Sequence, residues 1–276
     1  MFLIIFIILC SIALPVVGSL TFWPVQHWYD FYIPIVLLIA GFIGGIIIEF
    51  IVVFIISLCV NSKKDRMKPS RWAYWWLHQG IKCINYFSSV DCTVVGANKL
   101  PKNKQFVLVC NHRSNYDPML IIEKFSLKHI AFISKESNMK MPMIGPLLRA
   151  SCYQGINRTD KEQSLEIIKK CTKFVADGTL SVGVFPEGTR QRKEIIGPFH
   201  EGVFNIALKA QCPVVIVTVK NTDQIKKNAP FRRTHVFHDI VTVLPYEELE
   251  GKTAKAVSDL VRDIMENNLR RYEQHD

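Results

Sequence analysis

The sequence predicts an α/β domain built on a mixed β-sheet flanked by helices and preceded by N-terminal transmembrane helices. Three observations carry this. Residues 1–60 contain no Lys or Arg and only two acids, Asp30 and Glu49. Beyond residue 90, short apolar runs alternate with helical periodicities, as in sheets covered by helices. The most polar turn-forming stretches follow directly on apolar runs, where the strands of such a sheet end.

In chain order, two apolar runs come first, Met1–Leu20 and Ile33–Val60. About 20 apolar residues span a bilayer, so each is long enough, and the second has length to spare for tilt or kink. The first lacks the positive n-region of a cleaved signal. Phe22, Trp23, Trp28, Tyr29, Phe31 and Tyr32 between them form the aromatic belt expected at a membrane interface, and Lys63, Lys64, Arg66, Lys68 and Arg71 follow the second run. Positive residues stay inside, which predicts an integral membrane protein with its globular part facing the cytoplasm. Glu49 reads as a packed or interfacial acid, and Gly41, Gly44 and Gly45 as sites of close helix packing.

The charge is uneven. Residues 1–60 carry −2, so the rest of the chain carries +12 towards a formal net charge of +10. Three parts follow: an anchor over 1–60 with two hydrophobic helices, a basic juxtamembrane and interfacial helix over 61–90, and a globular domain over 91–276. In the second, Trp72, Trp75, Trp76, Tyr86 and Phe87 suggest an amphipathic helix at the membrane surface over 72–90, with an ordinary core-facing helix as the competing reading. The 8 cysteines form no C-x-x-C pair and read as small buried hydrophobes.

In the globular part, strands are expected at 92–96, 105–110, 130–134, 152–156, 181–185, 213–219 and 235–244. Helices are expected at 117–126, 160–177, 201–210 and 252–272. The 160–177 helix has Thr159 and Glu162 as a capping-box pair, Leu165, Ile168, Thr172 and Val175 along one face, and Gly178 as its stop.

The most informative residues are His112 and Asp117. Five positions apart, they point roughly 140° apart on a helix and to opposite faces on a strand. They can meet only across a turn, which Ser114, Asn115 and Pro118 supply after the apolar strand Phe106–Val109. A histidine at a strand end, its tautomer fixed by a carboxylate, is a general base suited to taking a proton from a substrate hydroxyl. Cys110 beside it is expected to be core.

A second motif, Phe185-Pro186-Glu187-Gly188-Thr189-Arg190, ends another strand in a turn that Gly188 permits. Followed by Arg192 and Lys193, it can cradle an anion, Glu187 aiming the guanidinium or binding a hydroxyl. A third, Gly155-Ile156-Asn157-Arg158, puts an arginine beside a helix N-terminus, which suits phosphate; pairing of Arg158 with Asp160 or Glu162 is an equal reading.

Asn111-His112-x-x-x-x-Asp117, Gly155-Ile156-Asn157-Arg158, Phe185-Pro186-Glu187-Gly188-Thr189-Arg190 and Cys212-Pro213-Val214-Val215-Ile216-Val217 together resemble, in order, the four blocks of the glycerolipid acyltransferase family. The closest likeness is to its 1-acyl-sn-glycerol-3-phosphate (lysophosphatidate) acyltransferases. The likeness covers roughly residues 105–220 and departs at Thr218, where a proline-containing apolar run is often seen. It implies that His112 and Asp117 are catalytic, and that Arg158, Glu187, Gly188, Thr189 and Arg190 bind the acceptor's glycerol phosphate. Lys135, in Ile133-Ser134-Lys135-Glu136, resembles the family's basic residue after a strand, for phosphate or an oxyanion.

The implied reaction moves an acyl chain from acyl-CoA or acyl carrier protein to the sn-2 hydroxyl of lysophosphatidate, giving phosphatidate without a covalent acyl-enzyme. No cofactor or metal is implied beyond the acyl donor. Membrane phospholipids and lysophosphatidate are the expected partners, with acyl carrier protein a further one and nucleic acid not expected. Competing readings are another acceptor within the family (glycerol 3-phosphate, another lysophospholipid, or a lipid A or ornithine-lipid precursor), a metal-dependent phosphatase or hydrolase, and a non-enzymatic membrane adaptor.

Overall fold

The structure is a computed structural model that describes residues 2–22, 32–60, 66–125, 129–191 and 196–273. Of the residues singled out above, Trp23, Trp28, Tyr29, Asp30, Phe31, Lys63, Lys64, Arg192 and Lys193 lie outside the described residues. Seven strands form one sheet: β1 Val90–Val95, β2 Val107–Cys110, β3 Ile130–Lys135, β4 Gln154–Ile156, β5 Ser181–Val184, β6 Val214–Lys220 and β7 Thr234–Leu244. Each answers to one of the seven expected strands. Their order is β1-β7-β6-β2-β5-β3-β4. The β6–β7 pair is antiparallel and the other pairs are parallel, so the sheet is mixed, as expected.

The sequence explains which strands are central. β2 and β5 are buried along their whole length and β6 along all but its last residue; all three read as apolar runs, because helices cover both sheet faces. β7 alternates buried and more exposed residues along most of its length, the pattern of a strand with one wetter face. Because β2 to β6 run in one direction, their carboxyl ends reach a single edge.

The helices are α1 Phe2–Phe22, α2 Tyr32–Cys59, α3 Arg71–Phe87, α4 Tyr116–Lys124, α5 Glu136–Met139, α6 Ile144–Ala150, α7 Lys161–Ala176, α8 Asn205–Ala210, α9 Ile225–Asn228, α10 Tyr246–Leu249 and α11 Ala254–Glu273. The expected 201–210 helix begins as a 3₁₀ turn over Glu201–Phe204. Four short helices, α5, α6, α9 and α10, had no expected counterpart; at four to seven residues they are too short to show a period. The capping of α7 is shifted by one residue. Asp160, not Thr159, is its N-cap and accepts from Gln163 N at 3.0 Å, while the Thr159 hydroxyl bonds Asn157 Oδ1 at 2.9 Å. Aspartate is the stronger cap here because its carboxylate meets the helix's unpaired N–H groups with charge. Gly178, at φ 68°, stops the helix as expected.

α1 and α2 form an antiparallel hairpin. A Cβ on Gly41 would lie 2.8 Å from Cys10 O, one on Gly45 3.2 Å from Cys10 Cβ, and one on Gly18 2.4 Å from Leu37 Cδ1. Gly41 and Gly45 thus allow close packing as expected, whereas Gly44 faces open space. By length and composition α2 is able to cross a membrane; the apolar stretch Phe2–Gly18 of α1 falls short of that length. Glu49 is half-buried and shares a hydrogen bond with the Cys83 thiol of α3.

α3 joins hairpin and domain. Leu77 and Ile81 enter the main core, Cys83 and Trp76 pack with Leu3, Ile4 and Ile7 of α1, and Trp72, Trp75 and Tyr86 remain exposed. The core-facing reading therefore holds for one face of this helix, while the other leaves aromatic side chains exposed.

One histidine of the domain, His238, is buried, and another, His129, is half-buried. His129 stacks on Tyr74 at 3.7 Å and bonds Ser151 O, and His238 lies against Cys92 Sγ at 3.6 Å. Burial lowers both imidazoles from 6.5 to about 4. Between those values the unfolded chain binds more protons than the folded one. Their contribution to the melting temperature is therefore expected to fall as pH drops from about 6.5 to about 4 and to be fully lost below that. The replacement His238→Leu is expected to flatten that slope in a pH series of thermal melts.

Candidate functional site

The site lies on the carboxyl edge, where β2 gives way to the turn before α4. His112 Nδ1 and Asp117 Oδ2 are 2.8 Å apart. The same carboxylate oxygen accepts the backbone N–H groups of Arg113 and Ser114, each at 2.7 Å. Asp117 is 0% exposed and His112 18%. An ionised carboxylate is acceptor-only, so it accepts a hydrogen bond from Nδ1–H and leaves the lone pair on Nε2. Asn111 locks the turn to the sheet: its amide donates to Val219 O at 3.1 Å and accepts from Val219 N at 2.8 Å. Cys110 is buried, and its thiol is pushed well above its ordinary range by burial and by the nearby Asp117 and Glu187 carboxylates. That fits core rather than nucleophile.

The second motif follows β5. Glu187 is buried, and each of its oxygens accepts a backbone N–H, from His112 at 2.9 Å and from Gly197 at 3.1 Å. Burial raises its carboxyl above the ordinary value, opposed by those two donors. Gln191 N returns a bond to His112 O at 2.8 Å. Glu187 thus clasps the two motif loops together, where aiming Arg190 or binding a hydroxyl was expected. Thr189 and Arg190 are exposed beyond the turn.

Gly188, at φ 67°, needs its missing side chain for two reasons. The angle itself is left-handed, and a Cβ would meet the His200 ring at 2.8 Å and the Arg158 guanidinium carbon at 3.4 Å. The structure therefore brings Arg158, from the turn after β4, against the second motif. Arg158 is exposed and makes no ion pair with Asp160 or Glu162. Lys135, exposed at the end of β3, is paired in register with Ile156, two residues before Arg158. His112, Asp117, Glu187, Gly188, Arg158 and Lys135 thus share one edge, with Arg190 two residues beyond Gly188.

Sequence reasoning missed several contributors. The Phe185 ring stacks on the His112 imidazole at 4.3 Å, and Phe132 stacks behind Phe185 at 5.3 Å. Gly183 makes room for this stack, since a Cβ there would lie 2.4 Å from the Phe132 ring. Arg113 donates through Nε and Nη2 to Asp223 Oδ1 at 3.1 and 3.0 Å. His200 beside Gly188 stood in the sequence as one unassigned histidine. These contacts are long-range, and no local spacing announces them. Among the described residues, no group of three His, Cys, Asp or Glu side chains is placed to hold a metal ion.

Comparison with known proteins bears on this edge. Residues 91–220 match the Acyltransferase family. A 1-acyl-sn-glycerol-3-phosphate acyltransferase of Chlamydomonas reinhardtii is 30% identical over 208 residues, covering 73% of this chain and 60% of that protein. One from Borreliella burgdorferi is 27% identical, covering 66% of this chain and 73% of that protein. The chain thus spans less than two thirds of the Chlamydomonas relative's length, 60%. The crystal structure of the 1-acyl-sn-glycerophosphate acyltransferase PlsC from Thermotoga maritima superposes with a TM-score of 0.61 at 20% identity, covering 84% of this chain and 89% of that one. At that identity it shows the same fold.

Two substitutions test the assembly of the site. Glu187→Gln exchanges one acceptor oxygen for a donor facing an N–H, and is expected to cost about 1–3 kcal/mol of stability. Arg190→Gln, on an exposed side chain, is expected to leave the melt unchanged, and an equal loss in both would contradict the clasp. Gly183→Ala forces a Cβ into the Phe132 ring and is expected to cost about 1–3 kcal/mol as overpacking, measured by the same thermal melts.

Proposed function

We propose that this chain, which belongs to the Acyltransferase family through residues 91–220, transfers an acyl group from an acyl thioester to the sn-2 hydroxyl of lysophosphatidate, yielding phosphatidate for phospholipid synthesis. The observation that carries the reading is the 2.8 Å bond between His112 Nδ1 and Asp117 Oδ2. It leaves Nε2 as a base at the mouth of the edge. The names of the relatives support lysophosphatidate as acceptor.

In this reading, Nε2 takes the proton of the acceptor hydroxyl as its oxygen attacks the thioester carbonyl. Asp117 stabilises the imidazolium that forms. The C–S bond then breaks, the ester remains on the lipid, and the proton passes to the departing thiolate, giving a free thiol. Arg158, Arg190 and Lys135 supply positive charge for the acceptor's phosphate, with Gly188 and Thr189 shaping the turn between them. The donor is acyl-CoA or acyl carrier protein, and no further cofactor is required.

The same reading makes the protein an integral membrane enzyme with its domain facing the cytoplasm. The length and composition of α2 support this, as does the positive charge that begins where α2 ends. Lysophosphatidate is an anionic bilayer lipid, and a basic domain held at the surface raises its local concentration.

The test is acyl transfer by the detergent-purified full chain, with each donor offered separately and His112→Ala in parallel. Phosphatidate is expected from the wild type, with a loss on the order of 10²–10⁴-fold in the mutant. Full activity in His112→Ala would overturn the mechanism. A folded wild type that gives no phosphatidate with either donor would overturn the acceptor.

A further inference from the structure

The connection from β6 to β7 leaves the same edge as the site and carries a feature that the proposed chemistry does not use. Residues 226–233 read Lys-Lys-Asn-Ala-Pro-Phe-Arg-Arg, four cations and no acid. At the tip, Phe231 is 96% exposed, the most exposed of the large hydrophobic side chains. Water disfavours a whole phenyl ring standing clear of the surface. Lys226, Lys227 and Arg232 are exposed and form no ion pair among the described residues, while Arg233 pairs with Asp91 at 3.1 Å.

The place of this loop says what covers it. Ser89, just past the end of α3, holds it by two bonds, Ser89 Oγ to Pro230 O at 2.7 Å and Thr234 N to Ser89 O at 3.0 Å. α3 runs antiparallel to α2: Trp76 shares an apolar cluster with Ile56 and Val53, and Phe87 meets Phe42 edge-on at 6.0 Å. Past the end of α3 the hairpin continues alone, with Ile35, Val36, Leu38 and Ile39 of α2 exposed. The loop therefore stands at the end of α3 from which the bare apolar hairpin projects.

We infer that the Phe231 loop is a docking element for an anionic bilayer surface, its ring seated among the lipid headgroups and Lys226, Lys227 and Arg232 on lipid phosphates. An aromatic tip ringed by cations is what such an interface selects. An acidic carrier protein would use the cations but leave the ring unexplained. The loop is also tied to the catalytic turn. Asp223, in the same connection, holds Arg113, the neighbour of His112, by the paired bonds at 3.1 and 3.0 Å. Contact with the lipid surface is thus made on the segment that buttresses the base.

The inference rests on the reading of this chain as a membrane-lipid acyltransferase, and the test separates the two. The full chain, with a nitroxide amino acid in place of Phe231, is placed in phosphatidylcholine nanodiscs with and without phosphatidylglycerol. Collision of the nitroxide with lipid-dissolved oxygen and with an aqueous nickel reagent reports its depth. Oxygen is expected to dominate when phosphatidylglycerol is present, and high salt to reverse this. Exchanging Lys226, Lys227 and Arg232 for Gln is expected to lower the docking constant on the order of a hundredfold, at about fivefold per charge. Thermal melts confirm that the exposed substitutions leave the fold intact.

A nitroxide that stays accessible to nickel in both lipids overturns the inference, as does one shielded only when acyl carrier protein is added. Acyl transfer to a short-chain, micelle-soluble lysophosphatidate is measured alongside. Transfer without a depth signal overturns the loop's role alone, and a depth signal without transfer overturns the proposed reaction alone.

Discussion

One buried oxygen organises the site. Asp117 Oδ2 accepts from two backbone N–H groups at 2.7 Å and faces His112 Nδ1 at 2.8 Å. Three donors on one carboxylate oxygen fold the chain back within five residues, which no regular element achieves. The carboxylate is fully removed from water, and these donors replace the hydration of Oδ2, while Oδ1 is buried with no hydrogen-bond partner among the described residues. The same bonds that make the burial possible set the tautomer of the imidazole. Local fold and chemical competence are therefore one requirement here.

That oxygen works because the flanking sheet holds the turn from outside. Asn111 ties it to β6, Glu187 ties it to the loop after β5, and Phe185 lies flat on the imidazole. The ties come from β6 and from the turn after β5, strands that run parallel to β2 on either side of it, and they reach the site because parallel strands end at a common edge. Glu187 shows how a motif residue can serve a site by holding its loops together. Its two oxygens are spent on backbone N–H groups, and with it removed the two loops lose their direct side-chain link.

The sequence was most legible where physics is local. All seven strands were readable because β-branched runs such as Val214–Val219 have no other comfortable state. The meeting of His112 and Asp117 followed from spacing and turn residues alone. The resemblance added the assignment of Arg158 and Lys135, which spacing left open. Long-range partners stayed hidden: Arg113 with Asp223 spans 110 positions, and Asn111 with Val219 spans 108. The cap of α7 was misplaced by one residue because Thr159 and Asp160 are both good caps, and only the course of the chain after Arg158 decides between them. α3 escaped a single label because its two faces answer to different neighbours.

The site orients an imidazole, and among the described residues no hydroxyl or thiol is hydrogen-bonded to it. Cys110 is buried with its thiol held protonated, and the Ser114 N–H is engaged by Asp117 while its hydroxyl accepts from Tyr116 N at 3.4 Å. A base so arranged acts on a hydroxyl brought from outside, and the proposed acceptor brings one attached to a lipid. In the proposed reaction the protein must then meet its substrate where the lipid lies. An apolar hairpin packed on the domain through α3, and a site edge with its outer connection turned to the hairpin side, meet that condition. Direct transfer to a membrane-resident acceptor is thus the chemistry that both the surroundings of the imidazole and the placing of the hairpin favour.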